Sequence, residues 1–137
     1  MIIVYSYYVL DIVHKGHLEM LQNAKAMAGP DGRLIVGILT DKAAMEKKPK
    51  PIISFEERVE LARSVKHIDL VVAQKEYSPL KNILALKPDI LMESDSHVPE
   101  SKVEQAMNDL NGRIICIPYF PEHSSTHIKK EIKNGQS

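Results

Sequence analysis

The sequence predicts an α/β fold: five parallel strands with helices on both faces, in a single domain spanning residues 1–137. Three observations predict it. Apolar runs alternate along the chain with segments of helical periodicity. Strands separated by helices must be parallel, because only parallel strands need such crossovers, and those are right-handed. The polar, chemistry-bearing residues fall just after the apolar runs, where ligands bind on sheets of this kind.

The elements follow in order. "MIIVYSYYVL" (1–10) is a strand and 16–28 an amphipathic helix, with Leu18, Leu21, Ala24 and Ala28 at helical spacing. "GPDG" (29–32) is a turn, and "RLIVGIL" (33–39) a buried strand. Residues 41–53, with "KKPKP" at 47–51, form a loop. The helix 54–65 opens on a capping box, Ser54 as N-cap and Glu57 three residues on. "DLVVA" (69–73) is a strand, and "SPLKNILALK" (78–87) a helix with proline in its first turn. "DILME" (89–93) is a strand, 99–110 a helix, "RIICIP" (113–118) the fifth strand and 124–133 a final helix.

Composition sets bounds. Hydrophobic residues at 44% and charged residues at 26% suit a globular core. The formal net charge is zero, which argues against nucleic acid or a membrane surface as a partner held by bulk charge. The N-terminal apolar run stops at Asp11, too short to span a bilayer, and has no cleavage pattern. One cysteine, Cys116, allows no intrachain disulfide and fits a reducing cytoplasm. Its neighbours Ile115 and Ile117 make it a core thiol.

The junction "IVHKGHLEML" (12–21) carries the first chemistry. Residues three apart share a helix face, so His14 and His17 point at one ligand. Gly16 between them opens the backbone to that ligand. A helix N-terminus with imidazole donors suits a phosphate chain. The bland alternative makes one histidine a cap and the other a surface residue. A zinc site lacks an obvious third ligand. Lys47, Lys48 and Lys50 are either a solvated loop or a flap that brings ammonium groups onto a polyphosphate. Arg58 is either a phosphate fork or a surface arginine. In "HSSTHIKKEI" (123–132) the hydroxyls are a helix cap or a second anion site. Glu93, Asp95 and His97 alternate and share one face of an extended segment, facing Mg²⁺, a ribose or solvent.

Four stretches in this order resemble the HxGH cytidylyltransferase family of nucleotidyltransferases. They are "VLDIVHKGHLEML", "LTDKAAMEKKPKPIISFEERVELARSVKHIDLVV", "KPDILMESDSH" and "EHSSTHIKKEI", nearly the whole chain. The resemblance implies a Rossmann-like fold and transfer of CMP from CTP to a small phosphate or phosphonate, with Mg²⁺ and as a homodimer. It implies that His14 and His17 contact the phosphates and stabilise the transition state. Backbone near Val9 and Leu10 would hold the α-phosphate. Lys47 matches the catalytic lysine and Arg58 the phosphate-side arginine. Asp95 matches the acidic residue near the nucleoside. Ser124, Ser125 and Thr126 match the hydroxyls on the outer phosphates, with Ser125 counted as catalytic. Asp11, Lys50, His97 and Tyr119 are the acceptor candidates.

The chain departs from the pattern where "GTFD" is "YVLD", where "GxD" is Ser94-Asp95-Ser96, and where Tyr119 replaces an arginine. These departures look more like the domains that act on 2-hydroxyethylphosphonate or 2-aminoethylphosphonate. Three other readings stay open: an ATP-dependent adenylyltransferase of the sugar-phosphate or FMN type, a non-catalytic nucleotide-binding module, and a flavodoxin-like domain with a fortuitous HxGH.

Overall fold

A computed structural model describes residues 1–11, 15–94 and 98–117. Its five strands are β1 (Ile3–Tyr8), β2 (Arg33–Leu39), β3 (Leu70–Gln74), β4 (Ile90–Ser94) and β5 (Arg113–Ile117). They form one sheet in the order β3-β2-β1-β4-β5. All neighbouring pairs are parallel. The five helices are α1 (Lys15–Ala28), α2 (Asp41–Ala44), α3 (Phe55–Arg63), α4 (Leu80–Leu86) and α5 (Ser101–Asp109). The fold is the Rossmann-like single domain that the resemblance implies.

Two cores explain why the chain adopts this sandwich. On one face, Met20, Leu21, Ala24 and Ala28 of α1 and Ala62 of α3 pack on Val4, Leu34, Val36, Ile38, Ile90 and Met92. On the other, Ile83 of α4 and Val103, Ala106 and Met107 of α5 cover Tyr5, Ile35 and Leu91. Consecutive strand residues therefore feed opposite cores. Burying one such leucine contributes roughly 1.5–3 kcal/mol. The chain moves outward from β1 to β2 and β3, then crosses back to β4 on the other flank of β1. That reversal makes the carboxyl ends of β1 and β4 the switch point.

Two aspartates set the register at the opposite end. Asp89 Oδ2 accepts from Ile3 N at 2.8 Å, and Asp69 Oδ2 accepts from Leu34 N at 2.8 Å. Lys25 Nζ also donates to Asp69 at 2.7 Å, and these bonds hold that carboxyl below its usual range despite the desolvation opposing them. The Ser54 cap is present, its hydroxyl accepting from Glu57 N at 3.2 Å.

Three expectations change. The segment 41–53 is not all loop, since α2 forms at its start with Thr40 Oγ1 accepting from Ala43 N at 3.1 Å. Pro79 lies at the N-cap of α4 rather than inside its first turn. Cys116 is exposed, not a core thiol. Ile115 and Ile117 do pack against the α1 core, but alternation turns Cys116 to the other face of an edge strand. The expected helix 124–133 lies outside the described residues.

Candidate active site

The site is built where β1 ends. Leu10 has φ 62, in the left-handed region, and is only 2% exposed. A non-glycine residue there costs about 1–2 kcal/mol. The turn is held because Leu10 belongs to the α1-side core and because its neighbours are fastened. Val9 carbonyl accepts from Arg58 Nη1 at 2.8 Å. Asp11 accepts from Ile53 N at 2.8 Å and from Ile52 N at 3.1 Å. Residues 9–11, just after β1, and the loop before α3 thus form one unit.

Arg58 organises that unit from beneath. Its side chain is fully buried. Nε donates to Ile53 O at 3.1 Å, Nη1 to Leu39 O at 2.7 Å as well as to Val9, and Nη2 to Asp41 Oδ1 at 2.6 Å. Four of the five guanidinium N–H groups are thereby committed to the ends of β1 and β2, α2 and the α3 loop. Of the two readings open to Arg58, phosphate fork or surface arginine, full burial removes the second. The structure places the residue under the site as a staple.

His17 is the third residue of α1, close to its N-terminus. The ring stands edge-on to Tyr8, with centroids 6.1 Å apart and planes at 85°. Tyr8 is fixed in turn by the Ser6 hydroxyl, which donates to it at 2.6 Å. Burial pushes the Tyr8 hydroxyl up to about 12, so it stays protonated at neutral pH. Gly16 precedes His17 in the first turn of α1, at the positive end of the helix dipole. His17, Leu10, Val9 and Asp11 therefore converge at one end of the sheet. His14 lies outside the described residues, as do Asp95, His97, Tyr119, Ser124, Ser125 and Thr126.

The lysines come from the segment after α2. Lys47 Nζ sits 5.5 Å from the centre of the Tyr77 ring. Tyr77 is held there by Glu46, whose Oε2 accepts its N–H at 2.8 Å. Lys50 is exposed and lines an open depression of about 580 Å³ with Asp41, Lys42, Met45 and Glu46.

On the α4/α5 face sits a polar group that the sequence marked only in part. Tyr7 hydroxyl donates to Glu93 Oε1 at 2.7 Å. Glu93 is 5% exposed, and burial pushes its carboxyl up to about 7 although the Tyr7 bond pulls the other way. Tyr5 hydroxyl donates to Gln74 Oε1 at 2.6 Å and accepts from Asn82 Nδ2 at 2.8 Å. The alternation of Tyr5 with Tyr7 was the available signal: two polar-tipped rings on one face of a central strand need partners.

Comparison with known proteins identifies the frame. The family described as cytidylyltransferase-like matches residues 9–131. The chain belongs to the cytidylyltransferase-like family. The FAD synthase of Korarchaeum cryptofilum is 32% identical over 126 residues, covering 89% of this chain and 85% of that protein. The bifunctional protein HldE of Helicobacter pylori is 34% identical over 134 residues, covering 96% of this chain but 28% of that protein. The lipopolysaccharide core biosynthesis protein of Thermoplasma volcanium superposes with a TM-score of 0.72 at 26% identity, covering 88% of this chain and 97% of that one. Nucleotidyl transfer is therefore the activity class of this cytidylyltransferase-like chain, which makes it an enzyme. Among the described residues, no helix is long and apolar enough to cross a membrane.

Proposed function

We propose that the protein transfers a nucleotidyl group from a nucleoside triphosphate to a small phosphate or phosphonate monoester. An acceptor oxygen forms the new bond to the α-phosphorus, the bond to the β-phosphate bridging oxygen breaks, and pyrophosphate leaves with that electron pair. Such an acceptor is already anionic near pH 7 and needs no general base, so the protein's work is positioning and charge stabilisation. The observation that carries the reading is the convergence of His17 with the left-handed Leu10 turn at the switch point. The positive end of the α1 dipole and the His17 imidazole suit phosphate oxygens. Lys47, with His14, Ser124, Ser125 and Thr126, completes the phosphate contacts in this reading.

ATP is the favoured donor, since a protein named FAD synthase makes a product that carries an adenylyl group. CTP is the second reading, supported by the motif resemblance. Among the described residues, no group of three or more His, Cys, Asp or Glu is placed to hold a metal. Asp11 has both carboxylate oxygens on backbone N–H groups. A Mg²⁺ ion in this reading is carried by the nucleotide phosphates, where it neutralises charge, and no protein cage is assigned to it.

The test is pyrophosphate release with ATP and with CTP, each with Mg²⁺. The acceptors are FMN, a sugar 1-phosphate, glycerol phosphate, phosphoethanolamine, 2-aminoethylphosphonate and 2-hydroxyethylphosphonate. Acceptor-dependent release with ATP is expected. Release with CTP alone selects the second reading. Nucleotide binding with no release under any acceptor overturns the transfer reading in favour of a binding module.

A further inference from the structure

Lys47 and Tyr77 meet from two loops at the carboxyl end of the sheet, one following α2 and the other following β3. Among the described residues, Lys47 forms no salt bridge. Its Nζ instead sits 5.5 Å from the centre of the Tyr77 ring, within the range of a cation–π contact. A carboxylate partner would hold the ammonium but cancel its charge and occupy its donors. A ring face holds it and does neither, so the N–H groups stay available to phosphate oxygens.

The ring is a fixed perch. Tyr77 N donates to Glu46 Oε2 at 2.8 Å, and the Tyr77 carbonyl accepts from Gln74 Nε2 at 3.1 Å. Gln74 is 2% exposed, and its Oε1 accepts from the hydroxyl of Tyr5 in the central strand at 2.6 Å. Tyr77 packs with Val9 against Leu39, Ala43 and Ala44, so the perch shares a small core with the residue that ends β1 at the site. Lys47 N donates to Ala44 O at 3.2 Å, which hangs the backbone of the lysine from that core too. Anchored at both ends, the contact removes rotamers from a long exposed side chain before any ligand arrives.

We propose that Tyr77 is the positioning residue for Lys47: its ring holds the ammonium at the carboxyl end of the sheet, with its charge and donors free for the triphosphate. The role rests on the proposed phosphate contact of Lys47. The ring contact itself is measurable without turnover.

The experiment is kinetic, on the full chain, with a double-mutant cycle of Tyr77→Leu and Lys47→Met and with Tyr77→Phe beside it. Tyr77→Leu should lower kcat/KM for the nucleoside triphosphate about fivefold, the size of one exposed cation–π contact. Tyr77→Phe keeps the ring and should stay within about twofold of wild type. In the Lys47→Met background Tyr77→Leu should change the rate by less than about 1.5-fold. An equal loss in both backgrounds is the mark of a merely structural role and overturns the proposal. So does a wild-type rate in Tyr77→Leu while Lys47→Met is impaired. A Lys47→Met enzyme as fast as wild type overturns the phosphate contact of Lys47 and the role with it. NMR reads the ring contact separately: the Lys47 ε-methylene protons should be shielded in wild type and Tyr77→Phe, and move to the shifts of an exposed lysine in Tyr77→Leu. Unshielded protons in wild type overturn the contact. Should Tyr77→Leu fail to fold, Tyr77→Met takes its place in the cycle. If wild type releases no pyrophosphate, binding of a non-hydrolysable ATP analogue decides: weaker binding in Tyr77→Leu keeps the perch and overturns the reaction instead, and equal binding overturns both.

Discussion

Arg58 Nη1 donates to the Val9 carbonyl at 2.8 Å, tying α3 to the end of β1 across 49 residues of sequence. The same nitrogen reaches Leu39 O at 2.7 Å, so one buried atom joins the ends of the two central strands beneath the candidate site. Removing it leaves two carbonyls at strand ends short of donors.

Arg58→Leu should therefore destabilise by about 3 kcal/mol or more, the sum expected when buried acceptors lose their partners. Arg58→Lys should fall between, because one ammonium cannot span the same acceptors. Urea unfolding with an unchanged m-value checks this. A loss below about 1 kcal/mol for the leucine variant would show that the staple is not structural.

His17→Ala should leave the fold intact and reduce turnover about 10²–10³-fold, the usual effect of one transition-state donor. The ring is only half-buried and packs edge-on to Tyr8, so little core is lost. Pyrophosphate release beside a circular-dichroism melt separates the two effects. Activity within threefold of wild type would sink the role.

Glu93 gives stability a pH dependence of defined sign. Its carboxyl is raised from 4.5 to about 7, so the folded state holds the proton more tightly than the unfolded chain. That contribution is fully present below the unfolded value and is lost as pH rises through about 7. Relative to Glu93→Gln, wild type should lose up to about 3 kcal/mol across that window and stay level above it. Urea midpoints for both proteins from pH 4 to pH 8.5 read the difference directly. A flat difference would mean that burial does not perturb the group.

Gly37 and Tyr5 should be energetically coupled. A Cβ added at Gly37 would run into the Tyr5 hydroxyl and sit 3.2 Å from Gln74 Oε1. Gly37→Ala should cost about 1–3 kcal/mol, as overpacking does. The same change in a Tyr5→Phe background should cost less by about 1 kcal/mol. A double-mutant cycle on unfolding free energies decides it, and simple additivity would rule out the clash.

The sequence by itself determined the architecture. Apolar runs and helical periods set five strands and their crossovers, because backbone periodicity and burial are local properties of the chain. It also carried the expectation that the chemistry gathers at the carboxyl ends of the strands, since topology alone dictates where such a sheet leaves a crevice. The Ser54 cap was legible for the same reason: donor and acceptor lie three residues apart.

What only the tertiary structure decided depends on partners far away in the chain. In sequence Arg58 reads as a phosphate fork or a surface arginine, yet its acceptors come from residues 9, 39, 41 and 53. Leu10 carries no signal for a left-handed turn, and its φ of 62 exists because core packing and the fastened residues on either side impose it. Cys116 looked buried beside two isoleucines, but which face of an edge strand is covered is set by the helices laid over it. The Glu93–Tyr7 pair spans 86 residues and forms because β4 returns to the side of β1. Sequence patterns encode which surfaces are apolar; only the folded chain decides which polar groups those surfaces bring face to face.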